Sequence, residues 1–177
     1  MNKNNELSQF LRPIIFIIIT LNSWSTNAAQ NQHVALWLGL DTYHVDRTND
    51  NATNENNKIT SIFYNRWFIS TFINSYNKRS YLLGYQIWYN QMPFFDSNIE
   101  ISYGVSIAAA TGYGRNLATN IDGIVTLGVS PFVGAEYDVN QDWTIGGDLL
   151  YIPTDNGGVL TSGLKLRYRF YTISEKD

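Results

Sequence analysis

Cysteine is absent from all 177 residues, so the chain has no disulfide, no thiolate nucleophile and no cysteine for lipid attachment. Charge is also scarce. Only 15% of residues are Asp, Glu, Lys or Arg, and the net charge is -3. A nucleic-acid partner needs clustered cations, and after Lys3 and Arg12 the Lys and Arg residues are scattered along the sequence, so no such partner is expected. Histidine occurs twice, at His33 and His44, which leaves little for a metal centre. Long apolar runs are missing too. The longest, Ile14 to Leu21, ends at Asn22, well short of the roughly 20 residues that a membrane-crossing helix requires. After residue 58 no stretch of useful length carries the 3.6-residue apolar spacing of a helix.

What is present begins with a leader. Lys3 and Arg12, the run Ile14 to Leu21 and the small-residue stretch Ser25-Thr26-Asn27-Ala28-Ala29 read as a secretory signal peptide over residues 1–29. Residues 30–177 then form one domain, exported through the periplasm. Its composition is rich in rings, with five Trp and twelve Tyr, which suits side chains at a membrane interface where an apolar body carries a polar edge.

The mature chain alternates with a period of two. Ile99, Ile101, Tyr103, Val105, Ile107 and Ala109 share one face, against Glu100, Ser102, Gly104, Ser106 and Ala108 on the other. Val125 to Tyr137 repeats this, and Leu164, Leu166, Tyr168 and Phe170 oppose Gly163, Lys165, Arg167 and Arg169. Eight strands are expected, centred near Leu38, Ser61, Thr71, Tyr85, Tyr103, Val129, Gly147 and Leu164. Several are long enough to cross a bilayer at a tilt of the usual size. Connections alternate between long (45–57, 112–123) and short (64–66, 92–97, 138–142), as loops outside and turns on the periplasmic side would. The fold class is therefore all-β, an eight-stranded antiparallel up-and-down transmembrane β-barrel in a bacterial outer membrane, expected as a monomer among membrane lipids.

That topology aims Glu100, Glu136, Lys165, Arg167 and Arg169 into the lumen near the periplasmic end, with Asp148 above them, so opposite charges should pair and seal it. The first and third strands are apolar on both faces in the outer half. Their inward residues need an apolar cover, which either packed side chains or a lipid acyl chain would supply.

His44, at the outer end of the first strand, is the one imidazole in a structured region, and Ser75 follows the third strand on the same side of the membrane. A serine hydroxyl becomes a nucleophile when a base removes its proton, so the pair is a candidate for ester chemistry. A loop imidazole is also commonly just solvated, and Asn-Ser is ordinary turn chemistry. Asp46, Asp50 and Glu55 could hold a divalent cation, but their spacing has no cage-like regularity, and neither metal nor cofactor is assigned.

Several segments together resemble the outer-membrane lipid A palmitoyltransferases called PagP. They are Thr42-Tyr43-His44, Thr53-Asn54-Glu55, the run Phe72 to Lys78 with Gly84-Tyr85 after it, Tyr151-Ile152-Pro153, Asn156-Gly157-Gly158-Val159 and Arg167-Tyr168-Arg169-Phe170. The resemblance covers most of the mature chain. It implies transfer of a palmitoyl chain from a membrane glycerophospholipid to lipid A, a lipopolysaccharide modification, with His44 and Ser75 at catalytic positions. Asn74 stands where that family carries Asp, and is taken as a variant third member. Two other readings stay open: a catalytically silent barrel with a structural or lipid-binding role, and a lipid A deacylase, which would also use a His and a Ser at the rim.

Overall fold

The computed structural model describes residues 32–45, 54–95, 97–113, 120–121, 125–154 and 157–170; the expected leader lies outside them. Eight strands make the wall: β1 Gln32–His44, β2 Thr60–Tyr64, β3 Trp67–Ile73, β4 Arg79–Pro93, β5 Ile99–Thr111, β7 Val125–Asp138, β8 Trp143–Thr154 and β9 Gly157–Phe170. A two-residue strand, β6 Asn120–Ile121, adds a short ladder to β7. Neighbours run β5-β4-β3-β2-β1-β9-β8-β7, and antiparallel pairing of β5 with β7 closes the ring. The expected eight-stranded up-and-down barrel is what forms, but His44 is not the one imidazole in a structured region: His33 lies within β1, opposite Arg169. Closure gives every wall strand a neighbour on both sides, as hydrocarbon requires, although towards one end the β1–β2 ladder stops at Leu38↔Thr60 and the β7–β8 ladder at Phe132↔Leu150.

Side-chain alternation sorts the wall as the sequence pattern indicates. Outward-facing Leu36, Leu38, Ile62, Ile69, Leu83, Val129, Val133, Ile145, Leu164 and Leu166 are exposed. A soluble protein rarely bares so continuous an apolar surface, whereas a transmembrane barrel needs one. Tyr64, Tyr137, Trp143 and Tyr168 stand exposed at the end that holds the strand termini, and Tyr43 and Tyr81 at the opposite end. The connections at the first of these ends are all short, whereas the two long ones, β1 to β2 and β5 to β7, are at the second, so the second is the outer one. β2 and β3 have five and seven residues, and residues 54–59 ahead of β2 approach β1 and β3 through isolated bonds.

Inside, the barrel is filled in layers. At the periplasmic end Lys165 Nζ lies 3.2 Å from Glu136 and 2.6 Å from Asp148, and Arg167 donates to Glu136 and to the Tyr89 hydroxyl, both at 2.8 Å. Below them Arg169 pairs with Asp138 at 2.7 Å and approaches Glu100 at 4.0 Å. The expected charge seal is present. Above it Trp37, Phe63, Phe68 and Phe132 occupy the lumen, and the Trp37, Phe68 and Phe132 rings lie directly over Gly163, Gly84 and Gly104, where a Cβ would collide with them. Glycine is required at these three sites for lack of space, not for backbone freedom. Higher up the lumen is not filled in this way: at inward Gly128, opposite Ala108, nothing lies within 4 Å of where a Cβ would stand.

Candidate active site

The strand parity that buries Ala35 and Trp37 would point an even-numbered residue of β1 outward, yet His44 is buried with 7% of its surface exposed. A bulge accounts for this. The register passes from Gly39↔Gly163 to Asp41↔Ser162, leaving Leu40 unpaired, and from there Thr42 and His44 face in while Tyr43 faces out. One extra residue flips every side chain beyond it, and bulges of this kind commonly re-aim a side chain at a site.

Ser75 is delivered by the tight connection between β3 and β4. Asn74 N–H donates to Lys78 C=O at 2.8 Å and Asn77 N–H to Asn74 C=O at 2.9 Å, with Asn77 in the left-handed region at φ 60°, which Asn tolerates better than most residues. The turn leans over the mouth of the barrel. It brings Ser75 Oγ to 2.9 Å from His44 Nε2, and Ser75 too is buried. The two residues that the sequence pairs by topology are therefore in hydrogen-bond contact.

Asn74 does something else. Its Nδ2 donates to Ser80 Oγ at 3.0 Å and Gly112 C=O at 2.9 Å, while its Oδ1 accepts from the Tyr76 and Lys78 N–H groups, both at 3.0 Å. The amide is fully exposed to partners, fully hidden from solvent, and aimed away from the imidazole. It ties the turn together and fastens it to the end of β5. A carboxylate here could not donate to Gly112 C=O and would face that oxygen instead. Asn74→Asp is thus expected to destabilise the folded barrel by about 1–3 kcal/mol, read as a lower urea midpoint, and to bring no gain in activity.

The carboxylate that does approach the imidazole is Glu55, which the sequence offered as a possible cation ligand and as part of Thr53-Asn54-Glu55. Glu55 Oε1 lies 3.7 Å from His44 Nδ1, beyond hydrogen-bond length but within ion-pair distance should the imidazole be protonated. Catalytic contacts are often this loose before substrate arrives. Nδ1 is buried and has no hydrogen-bond partner among the described residues. With a carboxylate ahead of it, the favoured tautomer carries its proton on Nδ1 and turns the Nε2 lone pair to the Ser75 hydroxyl. Glu55 owes its place to its neighbours: Asn54 Nδ2 donates to the Ile73 and Asn74 carbonyls at 3.2 and 3.0 Å, Asn54 N–H to Ser75 C=O at 3.2 Å, and Ile73 N–H to Asn57 C=O at 2.7 Å. The loop is stitched along the end of β3. The triplet Thr53-Asn54-Glu55 was the available sequence signal, but only the clamp made by Asn54 and Asn57 brings it to the imidazole. Asp46 and Asp50 lie outside the described residues, and among those described no group of three or more His, Cys, Asp or Glu gathers to hold a metal.

Aromatic side chains line the approach. Phe72 and Tyr76 each lie 6.3 Å from Tyr113, measured between ring centres. The Tyr113 phenol has its pKa pushed up to about 12, chiefly by burial and secondarily by the neighbouring Tyr76, so it stays a hydrogen-bond donor at physiological pH.

No protein-family model matches the chain. No characterised protein matches it in sequence either. Solved structures of similar architecture include the outer membrane enzyme PagL, at 13% identity over 78% of this chain and 99% of that one, with a TM-score of 0.49. Neisserial surface protein A (NspA) aligns at 14% identity over 81% of this chain and 100% of its own, TM-score 0.47. The Yersinia pestis outer membrane protein Ail aligns at 10% identity over 80% and 100%, TM-score 0.45. Each is similar to this chain as a barrel, and the identity of the site residues rests on the geometry above.

Proposed function

We propose that this chain is an outer-membrane enzyme that cleaves an acyl ester of a membrane lipid through an acyl-Ser75 intermediate, and that the reaction is deacylation of lipid A. The observation that carries the reading is the 2.9 Å contact between Ser75 Oγ and His44 Nε2, backed by Glu55. Attack of Oγ on the ester carbonyl sends its proton to Nε2, and the released alcohol takes that proton as it leaves. Glu55 stabilises the imidazolium in between. Water then attacks the acyl-serine, His44 again takes the proton, and the free acid departs with Ser75 restored.

Transfer differs from hydrolysis only in the second nucleophile. Palmitoyl transfer to lipid A, the reading that the resemblance to PagP implies, needs an acceptor hydroxyl in place of water and an acyl chain kept in a dry slot. The Trp37, Phe68 and Phe132 rings confine any such slot to the space above them, near Gly128, and on that ground we favour hydrolysis.

Mass spectrometry of lipid A from cells producing the chain separates the readings. Deacylation predicts loss of one acyl mass, transfer predicts a gained palmitoyl mass, and an unchanged spectrum would contradict both in favour of a silent barrel. In the same assay Glu55→Gln, which keeps the shape and removes the charge, is expected to slow turnover by about 10²–10⁴-fold. A rate within twofold of the parent would remove Glu55 from the mechanism.

A further inference from the structure

The cations of this acidic chain are scattered in sequence but not in space. Of its twelve Lys and Arg residues, seven are described. Lys165, Arg167 and Arg169 are consumed by the lumen seal, and Arg66 sits in the β2–β3 turn at the periplasmic end. The other three, Lys58, Lys78 and Arg79, all meet at the outer end of β3, beside Ser75. Asn57 C=O accepts from Ile73 N–H, which sets Lys58 next to that strand end; Lys78 C=O accepts from Asn74 N–H; and Arg79 is the cross-strand partner of Ile73. All three side chains are exposed.

Three like charges around one strand end repel one another unless an anion joins them, and none of the described residues supplies one. Among the described residues none of the three forms an ion pair, and Arg79 has a single 3.4 Å bond to Thr71 Oγ1. The described acids of this rim are engaged elsewhere: Glu55 faces His44, and Asp41 accepts from Thr42 N–H at 2.9 Å. Depth is fixed by Tyr81. It shares the outward face of β4 with Arg79, two residues further into the membrane, and exposed tyrosines of that kind mark the interface. The cations therefore stand at headgroup level, where one negative chemistry is abundant.

We propose that Lys58, Lys78 and Arg79 form a recognition site for the phosphate of a lipid headgroup, holding a phosphorylated lipid with its ester chain against Ser75. Arg presents a planar fork suited to phosphate oxygens, and Lys adds mobile point charges. The inference deepens the function proposed above and rests on it for what the held lipid undergoes.

The test uses a catalytically inert background, so that it does not depend on turnover. Full-length mature Ser75→Ala protein, folded in neutral detergent micelles, is titrated with phosphatidic acid or with diacylglycerol of the same chains, and retained lipid is counted by native mass spectrometry. Retention of phosphatidic acid should exceed that of diacylglycerol. It should fall about fivefold for each of Lys58→Gln, Lys78→Gln and Arg79→Gln, and more than about 100-fold for the three together. Arg66→Gln, which removes an exposed cation from the other rim, should change nothing. Heat-modifiable electrophoretic mobility checks that each variant is folded. Equal retention of the two lipids, or full retention by the triple variant, would overturn the proposal. So would displacement of phosphatidic acid by inorganic phosphate at similar concentration, which would make the site a reader of free anions. A phosphate preference found alongside unaltered lipid A in cells would leave this site standing and remove the proposed deacylation alone.

Discussion

Ser75→Ala is expected to cut ester turnover by at least about 10⁴-fold while leaving the barrel's unfolding midpoint unchanged. The mutation removes one oxygen, whose hydrogen bond is to His44, and keeps the backbone carbonyl that Asn54 holds. His44→Ala should cost as much, since without the imidazole the hydroxyl keeps its proton and is a poor nucleophile. The double variant should be no slower than either single one, because residues that act as a unit do not contribute additively. Initial rates on a micellar lipid ester, with the urea midpoint measured on the same samples, check both halves. Additive losses would mean that the two side chains act separately, and a parallel fall in stability would mark Ser75 as structural.

Glu136→Ala should destabilise the barrel by about 3–5 kcal/mol, the largest loss expected from any single lumen substitution. Glu136 is 1% exposed and is shared by Lys165 at 3.2 Å and Arg167 at 2.8 Å. Its removal leaves Asp148 to Lys165 and the Tyr89 hydroxyl to Arg167, so two buried cations face one carboxylate. Breaking a buried network costs far more than its net contribution, because the remaining charge cannot regain water. Glu100→Ala serves as the comparison. Its side chain is 35% exposed and 4.0 Å from Arg169, so its loss should cost less than about 1 kcal/mol. Urea unfolding in lipid vesicles measures both, and equal effects would mean that water reaches the Glu136 layer.

The wall of this barrel was legible in the sequence, and the reason is mechanical. Lipid outside and packed charge inside force opposite chemistry onto successive residues, so Ile99 to Ala109 and Val125 to Tyr137 declare both their strands and their faces. The charge seal followed from the same parity, applied to Glu136, Lys165 and Arg167. The site was only half legible. His44 and Ser75 could be set on one rim by counting strands, but the inward turn of His44 depends on the unpaired Leu40, and nothing in Gly39-Leu40-Asp41 announces which residue the ladder will skip. Asn74 was read as a third member because a residue beside a candidate nucleophile looks like part of the chemistry. Its four hydrogen bonds, to Ser80, Gly112, Tyr76 and Lys78, give it a structural duty instead. Glu55 lies eleven positions after His44 in a polar loop, and no periodicity governs loops. Its contact is made by Asn54 and Asn57 reaching the end of β3, a tertiary event with no local signature. The same holds for Lys58, Lys78 and Arg79, which look scattered until β3 and β4 are paired.

Reaction of the folded barrel with a fluorescent alkyl phosphonate ester tests the central claim most directly, because such probes bond only to a serine oxygen that a neighbouring base has activated. The account predicts stoichiometric labelling at Ser75, located by peptide mass spectrometry, and its loss in Ser75→Ala, in His44→Ala and in urea-unfolded protein. Absence of labelling in the native barrel, or labelling of Ser75 that persists without His44, would contradict it.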